Sequence, residues 1–324
     1  MAGSFRKIDY RLRPAKHVER LMLCDTFRRL RFSALENYQY IGMGSVYFSD
    51  FGLFHRALGF KAMKSIEATD APAVQKRFED NRPFSNIELL WGRSGAVLPG
   101  IDLRRKTILW LDYDGRLDLN VLNDLASVVA RIESGSFLTL SVQCQPDRGE
   151  GADGYESTDE DPSPLLAYAT HVLGRDRVDP KWKEIDLVGW GTARLFWEVL
   201  TNELQSTLTQ RNGSRIGDII EAEQIVHFHY SDGAYMLTVG WLFFTSSERE
   251  LFDKGAFPEL DFYRPGLEPF KISLPLLTLK ELRKLECQLP QRSNSPELGS
   301  IPPGDAKKFI ALYRYFPNFA TTSL

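Results

Sequence analysis

The chain has 324 residues, 43% of them hydrophobic and 12% aromatic, and its formal net charge at pH 7 is −3. This composition is sufficient for a substantial core, and it excludes a global coat of positive charge for nucleic acid. No run approaches the ~20 apolar residues of a membrane span, and the first residues lack a secretory pattern, so we predict a cytoplasmic protein without a membrane partner. The three cysteines are widely separated, which favours neither a disulfide framework nor a zinc cluster.

The first segment, residues 1–35, is locally cationic, with nine basic against three acidic side chains. Pro14 and an irregular apolar face predict a helix over 14–31, which we interpret as a basic N-terminal helical cap. One interpretation of its charges is a solvated face on a packing helix. The sharper hypothesis is that Arg13 and Lys16, with Arg11, receive an anionic substrate or a phosphate.

An apolar strand-like run follows and breaks at Gly42-Met43-Gly44, after which Phe51 and Phe54 begin a helical period. A strand that turns through glycines into a helix presents free backbone N–H groups beside its ligand. Glu67, 25 residues after Gly42, ends the next strand-like run, and a carboxylate at about this distance accepts hydrogen bonds from ribose hydroxyls. The unit predicts a site for a nucleotide-like cofactor.

Further strands are predicted at 87–91, 107–111 and 137–142, with helical segments between them. This alternation indicates an α/β Rossmann-like fold, a mostly parallel sheet with helices on both faces. Ligands of such sheets bind at the carboxyl ends of the strands. The turn at Arg93-Ser94 and the segment Asp112–Asp114 follow two of these strands, so we expect them to lie beside the glycines and Glu67.

The sheet is predicted to finish with an antiparallel hairpin, 224–230 and 234–244, joined by Ser231-Asp232-Gly233. A plain dinucleotide dehydrogenase would continue with further parallel strands, so the hairpin disfavours a nucleotide-dependent oxidoreductase. We divide the chain into the cap at 1–35, a Rossmann-like domain at 36–249 and an extension at 250–324 packed on it. The domain contains an acidic loop and a helical insertion at about 145–215.

At this point the chain resembles the bacterial O-methyltransferase family of the class I S-adenosylmethionine-dependent fold, over most of its length. The resemblance implies this fold, with S-adenosylmethionine as the cofactor. The stretches that carry it are Arg13–Arg20, Tyr40–Ser45 through Asp50-Phe51, Asn81-Arg82-Pro83, Trp110–Gly115, Tyr230–Gly240 and Tyr313–Pro317.

The resemblance also implies roles for individual residues. Gly42 and Gly44 would lie against the methionine part of the cofactor, Glu67 would hold the ribose, and Asp112 would lie beside the amino group and the methyl. The Arg93-Ser94 turn would face the adenine. The full predicted cofactor set is Tyr40, Gly42, Gly44, Ser45, Tyr47, Glu67, Ala68, Arg93, Ser94 and Asp112.

Three positions depart from the family pattern. Tyr40 stands where an acid is usual, Val46 stands where a third glycine is usual, and Arg93 stands where an acid commonly faces the adenine. Each departure weakens a typical contact to the cofactor.

Asp112 and Asp114 are the candidate catalytic residues, as bases that remove the acceptor's proton. The alternatives are cofactor positioning for Asp112 and a helix N-cap for Asp114. Their Asp-x-Asp spacing is similar to that of metal-dependent O-methyltransferases, but residues 141–145 lack the partner ligands, so we do not expect a divalent metal.

We therefore predict O-methyl transfer from S-adenosylmethionine to an unidentified acceptor, for which the basic cap suggests an anion bound by Arg13 and Lys16. A small molecule or nucleotide-like anion is the leading acceptor class, and nucleic acid stays open. The alternative is an inactive methyltransferase fold that binds a nucleotide or a partner. The oligomeric state is not predicted.

Overall fold

The computed structural model describes residues 13–145, 164–213, 217–290 and 296–317. Arg11 and the acidic loop at 147–161 lie outside the described residues. The helices are α1 Pro14–Arg28, α2 Ser49–Leu58, α3 Pro72–Asn81, α4 Ser94–Val97, α5 Leu119–Val129, α6 Pro164–Leu173, α7 Gly191–Gly213, α8 Arg249–Lys254, α9 Leu279–Glu286 and α10 Pro303–Leu312. The strands are β1 Gln39–Gly42, β2 Ala62–Glu67, β3 Ile87–Trp91, β4 Thr107–Arg116, β5 Phe137–Gln143, β6 Ile220–Ser231, β7 Tyr235–Thr245 and β8 Phe270–Ile272.

The eight strands of the described residues form one sheet in the order β3-β2-β1-β4-β5-β7-β6-β8. Strands β1 to β5 pair in parallel, whereas β7 is antiparallel to both β5 and β6. The predicted fold class is therefore confirmed: the sheet is mostly parallel and carries an antiparallel hairpin. Strand β8, which pairs in parallel with β6, was not predicted.

Helices cover both faces of the sheet, as a parallel sheet with two apolar faces requires. Side chains of α1, α2 and α3 enter the core on one face, and side chains of α5, α6 and α7 enter the core on the other. Among the described helices, none is both long and apolar enough to cross a membrane.

Helix α1 is part of the main core. Its side chains Val18, Met22 and Phe27 are fully buried against the sheet. The turn of the β6–β7 hairpin holds its first turn, because Asp232 Oδ2 accepts the backbone N–H of Lys16 at 2.9 Å and the Asp232 carbonyl accepts Arg13 Nη2 at 3.1 Å. This contact places Arg13 at the hairpin and fixes the start of α1 beside the end of β4.

The C-terminal extension has a small core of its own, formed by Leu285, Ile301, Ala306 and Phe309. A capping box begins α9, where Thr278 and Glu281 exchange hydrogen bonds between side chains and backbone. The predicted domain boundaries stay predictions.

Candidate active site

A cavity of about 820 Å³ opens at the carboxyl ends of the parallel strands. This volume is within the range of small-molecule sites. The structure brings together residues that follow four adjacent strands, as the strand order requires. The predicted site residues that line the cavity are Gly44, Ser45, Glu67, Ala68, Arg93, Ser94, Asp112 and Asp114.

The turn after β1 brings backbone close to the cavity. Ser45 and Phe48 adopt the left-handed conformation, with φ of 49° and 46°, so the chain turns sharply into α2. Such strained backbone is concentrated at functional sites. Gly44 lies just before these two residues, and its backbone N–H donates to Ser65 Oγ at 3.0 Å and to Glu67 Oε1 at 3.1 Å. The glycine turn is thus tied directly to the end of β2.

Gly44 is required by close packing. A Cβ there would lie 2.8 Å from both Phe48 Cδ1 and Ser65 Oγ. We expect Gly44→Ala to lower the free energy of unfolding by about 1–3 kcal/mol, the usual cost of overpacking. Gly52→Ala is the control, because a Cβ at that position of α2 meets nothing within 4 Å. We expect this substitution to stabilise the helix by about 0.5–1 kcal/mol. Denaturant unfolding measures both, and a Gly44→Ala protein as stable as the wild type would contradict this packing.

Glu67 is almost fully buried, with 6% exposure, on the cavity wall. Its Oε1 accepts from Ser65 Oγ at 2.6 Å as well as from Gly44. Burial raises the pKa of this carboxyl to about 8. Oε2 has no hydrogen-bond partner among the described residues, so it is the oxygen that is available to a ligand.

Asp112 lies at the cavity above a buried ammonium group. Lys16, 1% exposed, bonds Asp112 Oδ1 at 2.6 Å, Glu19 Oε2 at 2.9 Å and the Tyr230 hydroxyl at 3.1 Å. The ammonium also lies 4.3 Å from the centre of the Trp110 ring. Lys16 therefore does not line the cavity. Its contacts hold the Asp112 carboxylate in place.

Glu19 is the second carboxylate that contacts the Lys16 ammonium. Its carboxylate accepts hydrogen bonds from the hydroxyl groups of Tyr230, at 3.1 Å, and Thr238. One buried ammonium is thus shared by two carboxylates, Glu19 and Asp112. With all three groups ionised, the cluster carries one net negative charge beside the cavity.

Three predicted cofactor residues lie outside the cavity wall. Tyr40 is fully buried in β1, and a Cβ at Gly42 would lie 2.6 Å from its hydroxyl oxygen. Tyr47 is half-buried against the aromatic core. The Tyr40 hydroxyl donates to Asp50 Oδ2 at 2.5 Å.

Sequence reasoning missed three charged residues of the cavity. Arg20 of α1, Asp50 of α2 and Asp124 of α5 line the cavity with exposures of 6%, 7% and 3%. Arg20 is four residues after Lys16, so the helical period alone places it on the same face. Asp50 could have been found as the acidic residue in the first turn of the helix that follows the glycines. Asp124 accepts the hydroxyl of Tyr113 at 2.7 Å, a contact that no sequence signal marks.

Asp114 is exposed at the rim of the cavity. The alternative that it caps the following helix is wrong, because Asp118 is the N-cap of α5 and accepts the Val121 N–H at 2.9 Å. β4 continues to Arg116, which moves the start of the helix past Asp114. Within the described ranges, no three His, Cys, Asp or Glu side chains are grouped to hold a metal ion.

A family model described as "Putative O-methyltransferase" matches residues 8–324. The chain belongs to this family. Membership confirms the predicted enzyme class, a methyltransferase dependent on S-adenosylmethionine, and it leaves the acceptor undetermined. No curated protein matches the chain.

Solved structures of similar fold include three enzymes. LepI in complex with SAM is 13% identical, the match covers 67% of this chain and 46% of LepI, and the TM-score is 0.35. The mitomycin 7-O-methyltransferase MmcR is 11% identical over 68% of this chain and 53% of MmcR, with a TM-score of 0.33. The precorrin-6y C5,15-methyltransferase of Geobacter metallireducens is 10% identical over 67% of this chain and 84% of that enzyme, with a TM-score of 0.32. The chain spans about half the length of the first structures that it matches. These values are low, and the strand order itself carries the fold assignment.

Proposed function

We propose that the chain binds S-adenosylmethionine in this cavity and transfers its methyl group to a hydroxyl oxygen of a small molecule. The observation that carries the proposal is the convergence of Gly44, Glu67 and Asp112 at the ends of three adjacent strands. Glu67 Oε2 takes the ribose hydroxyls, the Gly44 turn lies beside the methionine part, and the Arg93-Ser94 turn faces the adenine. The cofactor, when bound, supplies a methyl group on a positively charged sulfonium.

The charge of the cavity supports a cationic cofactor. Five carboxyl groups and two arginines line it, and even with Glu67 protonated the other four carboxyl groups outnumber the arginines, so the wall is acidic on balance. The buried Lys16 and Glu19 next to Asp112 carry opposite charges and leave this balance unchanged. Coulomb attraction to the wall is strengthened by partial burial of its carboxylates. Because the sulfonium charge disappears as the methyl leaves, this attraction contributes to binding rather than to the rate of the chemical step.

The rate depends instead on alignment and on removal of the acceptor's proton. We propose that Asp112 is the base that takes the acceptor's proton. Lys16 binds its Oδ1, and Oδ2 has no partner among the described residues. Asp114, at the rim, is the second candidate base.

The acceptor that fits this wall is a small molecule. The predicted anionic acceptor was to bind Arg13 and Lys16, and neither side chain lines the cavity. Arg20 and Arg93 are the cationic side chains of the described lining, so an anionic group would have to lie against one of them. A long nucleic-acid track is disfavoured, because phosphates would meet Asp114 and the other carboxylates.

Transfer of a labelled methyl group from S-adenosylmethionine to a panel of hydroxylated small molecules tests the proposal. With an acceptor in hand, Asp112→Asn is expected to lower kcat by about 10²–10⁴-fold, because the amide cannot take the proton but still accepts from Lys16. Affinity for S-adenosylhomocysteine should be retained. Asp80→Asn, an exposed carboxylate of α3, is the control. An Asp112→Asn enzyme with unchanged kcat would assign the proton to another group.

A further inference from the structure

Arg20 is a buried cation whose guanidinium has no bonded partner among the described residues. In the part of the chain that the structure describes, no hydrogen bond or ion pair reaches its guanidinium, and its Nε is buried. A buried charge without a partner is costly, and native proteins normally pair it. Since Arg20 lines the cavity, the group that fits it is an anion delivered by the ligand.

Asp50, with 7% exposure, is an acidic side chain that lines the same cavity. The positive charge of Arg20 acts on the Asp50 carboxyl and opposes the upward shift that burial gives its pKa. Among the described side chains, the one that donates a hydrogen bond to Asp50 is the neutral Tyr40 hydroxyl. Asp112, by contrast, is already bonded to the Lys16 ammonium. Of these two carboxylates, Asp50 is therefore the one without a directly bonded cation.

A guanidinium and a carboxylate that line one cavity without pairing with each other match a ligand that carries both charges. We propose that Arg20 binds the α-carboxylate and Asp50 the α-ammonium of the amino-acid part of the cofactor. This assignment rests on the proposed function. The buried Tyr40 hydroxyl of β1 donates to Asp50 Oδ2 at 2.5 Å and holds this carboxyl group of α2 in place.

The pair also explains why α1 belongs to the site. Lys16 and Arg20 lie one helical turn apart on the buried face of α1. Lys16 binds a carboxylate of the protein, whereas Arg20 is left to bind a carboxylate of the ligand. An arginine suits that task, because its planar fork binds a carboxylate with two parallel hydrogen bonds.

Calorimetry with three ligands tests the pair: S-adenosylhomocysteine, its decarboxylated analogue, and methylthioadenosine, which lacks the amino-acid part. Arg20→Gln should lower affinity for S-adenosylhomocysteine by about 10–100-fold, the loss of a charged hydrogen-bonded pair. It should leave affinity for the other two ligands unchanged. Arg20→Lys should recover part of the loss. Asp50→Asn should likewise lower affinity for S-adenosylhomocysteine and leave affinity for its deaminated analogue unchanged.

Arg28→Gln is the matched control, because Arg28 lies on the same helix with 51% exposure and pairs with Asp25. If Arg20→Gln weakened all three ligands equally, or none, the assignment would be wrong while the proposed function stood. If the wild type bound neither S-adenosylhomocysteine nor methylthioadenosine, the proposed function itself would fail. Circular dichroism of each variant separates loss of binding from loss of folding.

Discussion

Replacing Lys16 by methionine is expected to lower the free energy of unfolding by about 3–5 kcal/mol, the usual cost of leaving a buried charge without its partner. Glu19 is fully buried, and the substitution removes the cation that it shares with Asp112. Equilibrium unfolding in urea measures the effect. We also expect kcat to fall, because Asp112 loses the contact that positions it.

Two further variants control this prediction. Lys76→Met removes an exposed pair with Asp80 on α3 and should change stability little. Adding Glu19→Gln to Lys16→Met should recover part of the lost stability, because it removes the uncompensated carboxylate. If Lys16→Met were as stable as Lys76→Met, the buried cluster would not have the role that we assign to it.

Replacing Glu67 by glutamine is expected to change the pH dependence of stability. The pKa of Glu67 rises from its ordinary value of 4.5 to about 8 in the folded protein. The folded state therefore holds a proton that the unfolded state has released between these values, and the wild type loses stability as pH rises through that window. The difference has an upper bound of about 5 kcal/mol. Glu67→Gln lacks this loss, so above pH 8 it should unfold at higher denaturant concentration than the wild type.

The same substitution should weaken the cofactor. Ribose hydroxyls donate to an ionised carboxylate more strongly than to an amide, and we expect Glu67→Gln to bind S-adenosylhomocysteine at least about 10-fold more weakly. In the wild type, affinity should increase as pH rises towards 8, because binding favours the ionised form. Glu88→Gln, exposed on β3, should behave as the wild type. Equal affinities and identical pH profiles for wild type and Glu67→Gln would remove Glu67 from the ribose site.

Much of the fold was predictable because local patterns determine it. The glycine turn after β1, the acid at the end of β2 and the Asp-Gly hairpin are short-range signals, and parallel pairing then places the strand ends together. Strand β8 could not be predicted in this way. Its three residues pair with β6 about 40 positions earlier in the chain, and three residues show no period.

The contacts of the basic side chains of α1 could not be predicted from local sequence patterns. The sequence shows that α1 is cationic, but the fate of each cation depends on residues far along the chain. Lys16 meets Asp112 and Tyr230, and Arg13 meets Asp232. Among the basic side chains described on α1, Arg20 is the one that lines the cavity. Burial of an individual charge depends on which acids the fold brings to it, and that is tertiary information.

Calorimetric titration of the purified chain with S-adenosylmethionine, S-adenosylhomocysteine and NAD is the most direct test of the central claim. The account predicts one site per chain that binds both adenosyl sulfur ligands and does not bind NAD, since the carboxylates that line the cavity would repel a pyrophosphate. Binding of NAD with no binding of either adenosyl ligand would contradict it.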